Sequence, residues 1–318
     1  MPRSGGARRG LWVAASFWLL ALWLALYAPP LSAAEATSRF ATPEDAVAAL
    51  AAAAKVNDVG EMRKVLGPGA DDIVNPDRVQ AGAEFANFAA ALIETNRVVR
   101  ESDSLCVLEL GRGAWPFPIP IVKTNGAWSF DVAAGREELL NRRIGRNELS
   151  ALQVVRAYVE AQRQYASQDY DGDDVLEYAQ RLFSPPGTHD GLYWPAEIEN
   201  DISPLGPLVA QAEGEGYALH SHEKNTPPQP FYGYFFKILT RQGRHPPGGR
   251  YDYVINGNMI GGFALVGWPA QYGETGVMTF IVNQQGRVYQ KDLGPKTGRL
   301  APRMKEYDPD TTWRLSGD

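Results

Sequence analysis

Cysteine is almost absent from this sequence, since Cys106 is the only one in 318 residues. A single cysteine cannot form an intramolecular disulfide, so in an oxidising compartment the fold must depend on its hydrophobic core. Cys106 lies in the apolar stretch LCVL at 105–108. This setting is typical of a buried thiol that takes part in no chemistry.

The common catalytic and nucleotide-binding motifs are also missing. The sequence contains no G-x-S-x-G, no H-E-x-x-H, no P-loop and no G-x-G-x-x-G. Paired carboxylates of the glycosidase type are defined by their distance in space, which a sequence does not give. The pattern therefore favours a non-enzymatic protein and leaves open a hydrolase that acts on an envelope polymer.

Basic residues are also fewer than acidic ones, at 31 against 37. The formal net charge is −6, and it becomes −9 without residues 1–34, which carry three arginines and no acidic residue. A net-acidic chain is a poor candidate for binding nucleic acid or an anionic membrane surface. After residue 34 no stretch is apolar enough to span a membrane. We therefore expect membrane contact only through the N-terminal segment.

That N-terminal segment has the order of an export signal. Three arginines precede an apolar run from Leu11 to Ala28, and two prolines and a stretch of small residues follow it. Cleavage after Ala34 or after Ala36 would release a mature chain that starts at Glu35 or Thr37. The run of 18 residues is near the lower limit for a membrane span, so an uncleaved anchor is the alternative. The prediction is a periplasmic or secreted protein.

The first part of the mature chain predicts an α+β module at residues 35–135. Thr42 followed by Pro43 starts an alanine-rich helix to Lys55, and further helices fit 59–66 and 77–94. Two β-rich stretches follow at 98–110 and 119–132, with a hairpin turn at Asn125-Gly126. Helices before a small antiparallel sheet resemble the NTF2-like or cystatin-like modules of exported bacterial proteins.

The second part predicts a long helix and a further antiparallel sheet. The helix starts near Gly135 and continues to about Gln168, and its charged first part, 136–148, is expected to be a solvated linker between two domains. A loop-rich middle at 184–230 precedes strands at 231–240, 251–255, 260–266, 277–282 and 288–292. The predicted C-terminal domain is therefore 149–318, also of the α+β class.

Several strings resemble the hallmarks of the bacterial exported domain-of-unknown-function family 2950. They are GREELLNRRIGRNE at 135–148, GLYWP at 191–195, SPLGP at 203–207, MIGGF at 259–263, GVMTF at 276–280 and KDLGP at 291–295. The resemblance covers nearly all of the mature chain and implies no established activity, substrate or catalytic residue. The helix-plus-sheet order of the second part also resembles the globular part of type IV pilin-like proteins, although the pilin processing site is missing.

One acidic segment is a candidate calcium site. Calcium takes six to eight oxygen ligands, and alternating carboxylates after a helix can present several of them to one point. The proposed ligands correspond to positions one, three, five, seven and nine of an EF-hand loop: Asp169, Asp171, Asp173, the Val175 carbonyl and Glu177. Asp174 stands at position six, where EF-hands have glycine, and Gln180 at position twelve, where they have glutamate, so binding should be weak.

The same segment has a second interpretation that involves no metal. Asp174 and Glu177 have the spacing of an acidic capping box, which could start a helix at 175–182. In that case the carboxylates would only cap the turn between two helices.

Histidines and aromatics give the remaining candidates. His220 and His222 have the spacing of two metal ligands on one side of a strand, and a third ligand would have to come from Glu223, His189 or elsewhere. Tyr193, Trp194 and Trp268 lie beside prolines at predicted loops or edges. Such rings either cover the core of a small domain or line a groove for a peptide or sugar. The expected partner is an envelope protein or polymer.

Overall fold

The computed structural model describes residues 38–170, 172–196, 201–218 and 229–317. The predicted export signal therefore lies outside the described residues, and so do Asp171, His220 and His222. Within the described ranges no helix has both the length and the apolar character required to cross a membrane.

Three helices open the described chain at the predicted positions. They are α1 (Pro43–Lys55), α2 (Val59–Leu66) and α3 (Arg78–Glu94). Each begins at a side chain that accepts hydrogen bonds from the free N–H groups of the first turn. Thr42 and Asp45 form a reciprocal capping box at α1, whereas Asp58 caps α2 and Asp77 caps α3.

A small antiparallel sheet follows these helices. Its strands are β1 (Asn96–Ser102), β2 (Leu105–Leu110), β3 (Trp115–Pro116), β4 (Ile121–Thr124) and β5 (Ala127–Phe130). The order is β1-β2-β4-β5, with β3 paired to β2. Asn125 and Gly126 have φ of 51° and 79°, so the predicted hairpin turn between β4 and β5 is confirmed. Cys106 is fully buried in this sheet, as expected.

The long helix α4 (Val132–Tyr165) begins earlier than predicted and has 34 residues. Asp131 caps it by accepting the N–H of Ala134. Val132 belongs to the core of the N-terminal half and Leu139 packs against that core. Ala151 and Val155 belong to the core of the C-terminal half. One continuous helix therefore contributes to both cores.

Further elements complete the C-terminal half. Its helices are α5 (Gly206–Gly214) and α6 (Thr297–Leu300). Its first strands are β6 (Arg181–Phe183), β7 (Gly191–Tyr193), β8 (Tyr234–Leu239), β9 (Arg241–Gln242), β10 (Tyr251–Asp252), β11 (Val254–Ile255) and β12 (Asn258–Met259). The last strands are β13 (Ala264–Pro269), β14 (Met278–Asn283), β15 (Tyr289–Asp292), β16 (Glu306–Tyr307) and β17 (Arg314–Leu315).

The main sheet of this half has the order β17-β15-β14-β13-β8, and all of its neighbouring strands are antiparallel. β6 and β7 form a separate parallel pair, and β11 and β12 form a short hairpin. Helix α4 packs against β13 and β14. The predicted α+β class is thus confirmed for both halves.

The two halves also contact each other beside α4. Arg143 lies in the segment predicted to be solvated, but its side chain is only 4% exposed and donates to the Ile73 carbonyl at 2.6 Å. Burial lowers the pKa of Arg143, while the charges of Glu84 and Glu274 oppose that shift. A second contact joins the hydroxyl of Tyr217 to Asp77 at 2.8 Å. The independence of the two predicted domains remains a prediction.

Candidate functional site at the end of helix α4

The acidic segment after α4 forms a tight loop around the carboxylate of Asp169. One oxygen of Asp169 accepts the N–H of Gly172 at 2.8 Å, and the other accepts the N–H of Asp174 at 2.9 Å. Gly172 and Asp174 have φ of 76° and 65°, in the left-handed region. Aspartate tolerates this region better than most residues. The loop is therefore closed by its own first carboxylate.

The other two described carboxylates hold the following segment against the β11–β12 hairpin. Asp173 accepts the N–H of Val175 at 2.9 Å and a side-chain N–H of Asn258 at 2.6 Å. Glu177 accepts the N–H of Met259 at 2.7 Å. These hydrogen bonds tie the segment to the hairpin.

The predicted helix at 175–182 is wrong. Residues 175–179 have no regular helical or strand structure, and Arg181 already belongs to β6. An N-cap residue normally has extended backbone angles, whereas Asp174 is left-handed. The backbone N–H groups that would start a helix are also engaged elsewhere, since the N–H of Tyr178 donates to the Met259 carbonyl at 2.9 Å.

Helix α4 fixes the same segment from its other side through Gln162, which is fully buried. The side-chain amide of Gln162 accepts the N–H of Ala179 at 2.9 Å and donates to the carbonyl of Ala179 at 2.8 Å. It also donates to the hydroxyl of Tyr158 at 3.0 Å. The amide thereby replaces a neighbouring strand as the hydrogen-bond partner of Ala179.

An aromatic cluster lies beside the acidic loop. The rings of Tyr165 and Tyr170 are stacked with centroids 4.8 Å apart, and the Tyr170 ring is 5.1 Å from that of Trp194. The His189 ring is 4.5 Å from Trp194, which is only 3% exposed. Tyr170 and His189 are half-buried. They form the accessible side of a cluster whose inner side is the core.

Asp201 supplies the charge of this cluster. Its carboxylate accepts the indole N–H of Trp194 at 2.8 Å and lies 3.5 Å from Nε2 of His189. Burial raises the pKa of the Tyr170 hydroxyl, and the negative charge of Asp201 raises it further. Tyr170 therefore stays neutral at physiological pH and offers a hydroxyl that can donate a hydrogen bond.

The structure engages the described candidate metal ligands in hydrogen bonds to the protein. Asp169 and Asp173 each accept two hydrogen bonds, and Glu177 is turned toward Met259. Asp171, the predicted ligand at position three, lies outside the described residues. Among the residues that the structure describes, no group of three or more histidine, cysteine or acidic side chains is placed to hold a metal ion.

The three predicted groove aromatics have different surroundings. The Trp194 ring contacts Tyr170 and His189, the Tyr193 ring contacts Phe183 at 5.9 Å, and the Trp268 ring contacts Phe235 at 5.9 Å. Trp268 is 8% exposed and belongs with Trp194 to the core of the C-terminal half. Tyr193 is half-buried. Tyr193 thus retains more accessible surface than either tryptophan.

The sequence singled out His189 only as one candidate for a third metal ligand, and it did not single out Asp201. The two residues are 12 positions apart in loops without a motif, and only the fold places both against Trp194. One weak signal was present, because Tyr170 is contained in the acidic segment itself.

The comparisons with known proteins give a family and no relative of known activity. A family model described as "Protein of unknown function (DUF2950)" matches residues 37–315. No curated protein and no solved structure matches the chain significantly. The matched region begins at Thr37, where the second predicted cleavage site would place the start of the mature chain.

Proposed function

This chain belongs to the DUF2950 family of proteins of unknown function, and we propose that it is an exported, non-enzymatic binding module of the cell envelope. The order of charge, apolar run and small residues before Glu35 supports export. The proposed binding surface is the acidic–aromatic site, defined by Asp169, Tyr170, His189 and Asp201.

The observation that carries the binding role is the half-exposed pair of rings over Trp194. Tyr170 and His189 are fixed from below by the buried indole, and the Tyr165 hydroxyl also donates to the His189 carbonyl at 2.8 Å. Rings held in this way lose little freedom when a ligand stacks on them. Carboxylates at the rim can accept hydrogen bonds from hydroxyl or amine groups. This chemistry fits a sugar or peptide chain of an envelope polymer.

The carboxylates of the site support a binding role more than a catalytic one. Asp169, Asp173 and Asp201 all accept hydrogen bonds from protein donors at 2.9 Å or less. Such bonds fix the side chains as parts of the framework. Their evident role is to hold the loop and the indole in place.

Sedimentation with purified peptidoglycan sacculi tests this proposal. We expect the folded protein to sediment with sacculi and Tyr170→Leu to weaken binding about tenfold. The estimate takes the lower part of the range of about 1–3 kcal/mol that stacking on an aromatic ring contributes to the binding of a nucleic-acid base. Trp115→Leu is the matched control, because Trp115 is a 44% exposed ring in the N-terminal half. Equal effects of the two variants would contradict the proposal, and release of soluble fragments from the sacculi would favour the hydrolase.

Weak calcium binding is a second candidate function. Position six of an EF-hand loop requires a sharp turn that glycine normally makes, and Asp174 at this position has the left-handed φ of 65°. The backbone of the loop therefore makes the required turn without glycine. The hydrogen bond that Glu177 accepts from the Met259 N–H opposes calcium binding, because the same carboxylate would have to coordinate the ion.

For calcium we expect an affinity in the weak extracellular range, roughly 10⁻⁴ to 10⁻³ M. At 100 times its dissociation constant, calcium should stabilise the folded protein by about 2.7 kcal/mol. Asp171→Ala should remove this gain and leave the calcium-free protein folded. A melting temperature that stays the same between chelator and several millimolar calcium would leave the carboxylates with only their hydrogen-bonding role.

A further inference from the structure

A short helical segment near the C-terminus carries an exposed stripe of positive charge. Three helical turns follow one another over residues 294–303, from Gly294–Lys296 through α6 to Ala301–Arg303. Lys296, Arg299 and Arg303 are all exposed. Lys305 follows directly and is exposed as well. The segment stands out in a chain whose net charge is negative.

Helical spacing places these cations on one side of the segment. Lys296, Arg299, Leu300 and Arg303 are related as i, i+3, i+4 and i+7, which covers an arc of about 100° on a helix. Thr297 and Ala301, which are fully buried, lie on the side that faces the protein. The remaining exposed side is uncharged, since it carries Pro302 and Gly298.

Within the part of the chain that the structure describes, the cations of the stripe have no anionic partner. Across the described ranges, no ion pair or side-chain hydrogen bond involves Lys296, Arg299, Arg303 or Lys305. The acidic residues at either end of the segment have other partners. Asp292 accepts the N–H of Gly294 at 2.7 Å, and Glu306 lies 3.5 Å from Arg250.

A half-buried lysine holds the segment in place. Nζ of Lys237, on β8, donates to the carbonyls of Pro302 at 2.8 Å and Met304 at 2.7 Å. These contacts satisfy carbonyl groups at the C-terminal end of the segment, where a helix leaves them without partners. The stripe is therefore presented on a fixed support.

From this arrangement we infer that the stripe docks the protein on an anionic phospholipid surface. Lys296 and Arg303 are about 10–14 Å apart along the segment by helical rise. Cations on so short a segment can all come within the screening length of about 8 Å of one flat anionic surface, which then attracts them together. The negative net charge of the whole chain argues against an anionic membrane as a partner. It is an average, however, and the local charge of this segment is positive.

Leu300 favours a lipid surface over a soluble polyanion. It is 45% exposed and lies within the arc of cations. A leucine flanked by lysines and arginines can enter the headgroup region while the cations meet lipid phosphates. This inference does not depend on the acidic–aromatic site, and its test can fail independently of the sacculus experiment.

Vesicle sedimentation of the protein as purified from its producing cell tests the inference. Vesicles containing half phosphatidylglycerol should bind the protein better than pure phosphatidylcholine vesicles, and salt should reduce the difference. Since each cation near an anionic surface contributes about a fivefold factor, Arg299→Gln with Arg303→Gln should weaken binding about 25-fold. The control pair Lys55→Gln with Arg78→Gln removes the same charge from exposed positions in the N-terminal half.

Leucine variants separate the lipid from other anions. Leu300→Asn should weaken binding to the phosphatidylglycerol vesicles, whereas Leu315→Asn, at a 52% exposed leucine on β17, should not. Absence of vesicle binding, or equal effects of the two charge pairs, overturns the inference. The stripe variants could also lose binding to inorganic polyphosphate while their vesicle binding stays unchanged. This result overturns the inference, because the partner would then be a soluble polyanion.

Discussion

Replacing Gln162 with leucine should lower the free energy of unfolding by about 4 kcal/mol. The change leaves the buried N–H and carbonyl of Ala179 without partners, at about 1–3 kcal/mol each, and it removes the hydrogen bond to Tyr158. Gln162 is fully buried and Ala179 is only 1% exposed, so water cannot replace the lost hydrogen bonds easily. Leucine has nearly the same volume, and steric change therefore contributes little.

Thermal unfolding measures this effect. At about 2–4 °C per kcal/mol for a chain of this size, the melting temperature should fall by roughly 10 °C. Gln164→Leu is the matched control, because Gln164 lies on the same helix and is exposed. If the two variants melt within a degree or two of each other, Gln162 does not hold the 175–179 segment in the way described. The acidic–aromatic site would then lack its support from α4.

Gly135→Ala should be the second strongly destabilising change, at about 2–3 kcal/mol. A Cβ at Gly135 would lie 2.8 Å from both the Pro118 carbonyl oxygen and Cα of Ile119. These are backbone atoms, so neither can move aside without shifting a strand or the helix. The clash outweighs the gain of about 1 kcal/mol that alanine brings to a helix interior.

Gly145→Ala on the same helix should have the opposite effect on stability. A Cβ there meets nothing within 4 Å, so alanine should stabilise the protein by about 0.5–1 kcal/mol. Denaturant unfolding of the two variants in parallel gives the comparison. If both variants change the free energy of unfolding in the same direction, α4 does not approach the segment at Pro118 closely in solution.

Gly135 also explains why the start of α4 could not be predicted from the sequence. Gly135 looked like a helix boundary, because glycine is unfavourable inside helices. Its real role depends on the close approach of Pro118 and Ile119, which come from a different part of the chain. Local signals were sufficient at α3, where Asp77 caps the helix, and at Asn125-Gly126, where both residues adopt left-handed angles.

In the candidate site, too, some features follow from the local sequence and others depend on contacts with distant residues. The acidic segment was recognised from its composition, but the direction of its carboxylates was decided by the β11–β12 hairpin, about 80 residues later. The partnership of His189, Trp194 and Asp201 has no spacing that a sequence pattern would detect. The capping interpretation failed because Asp174 has a left-handed backbone and its N–H donates to Asp169, five residues earlier in the chain.

Export is the central claim of the proposed function, and the mass of the protein in the cell envelope fraction tests it most directly. The intact mass should correspond to a chain that starts at Glu35 or Thr37, because the usable cleavage sites end at Ala34 and Ala36. The protein should be recovered outside the cytoplasm. A chain that retains Met1 and is recovered with the soluble cytoplasmic proteins would contradict the account.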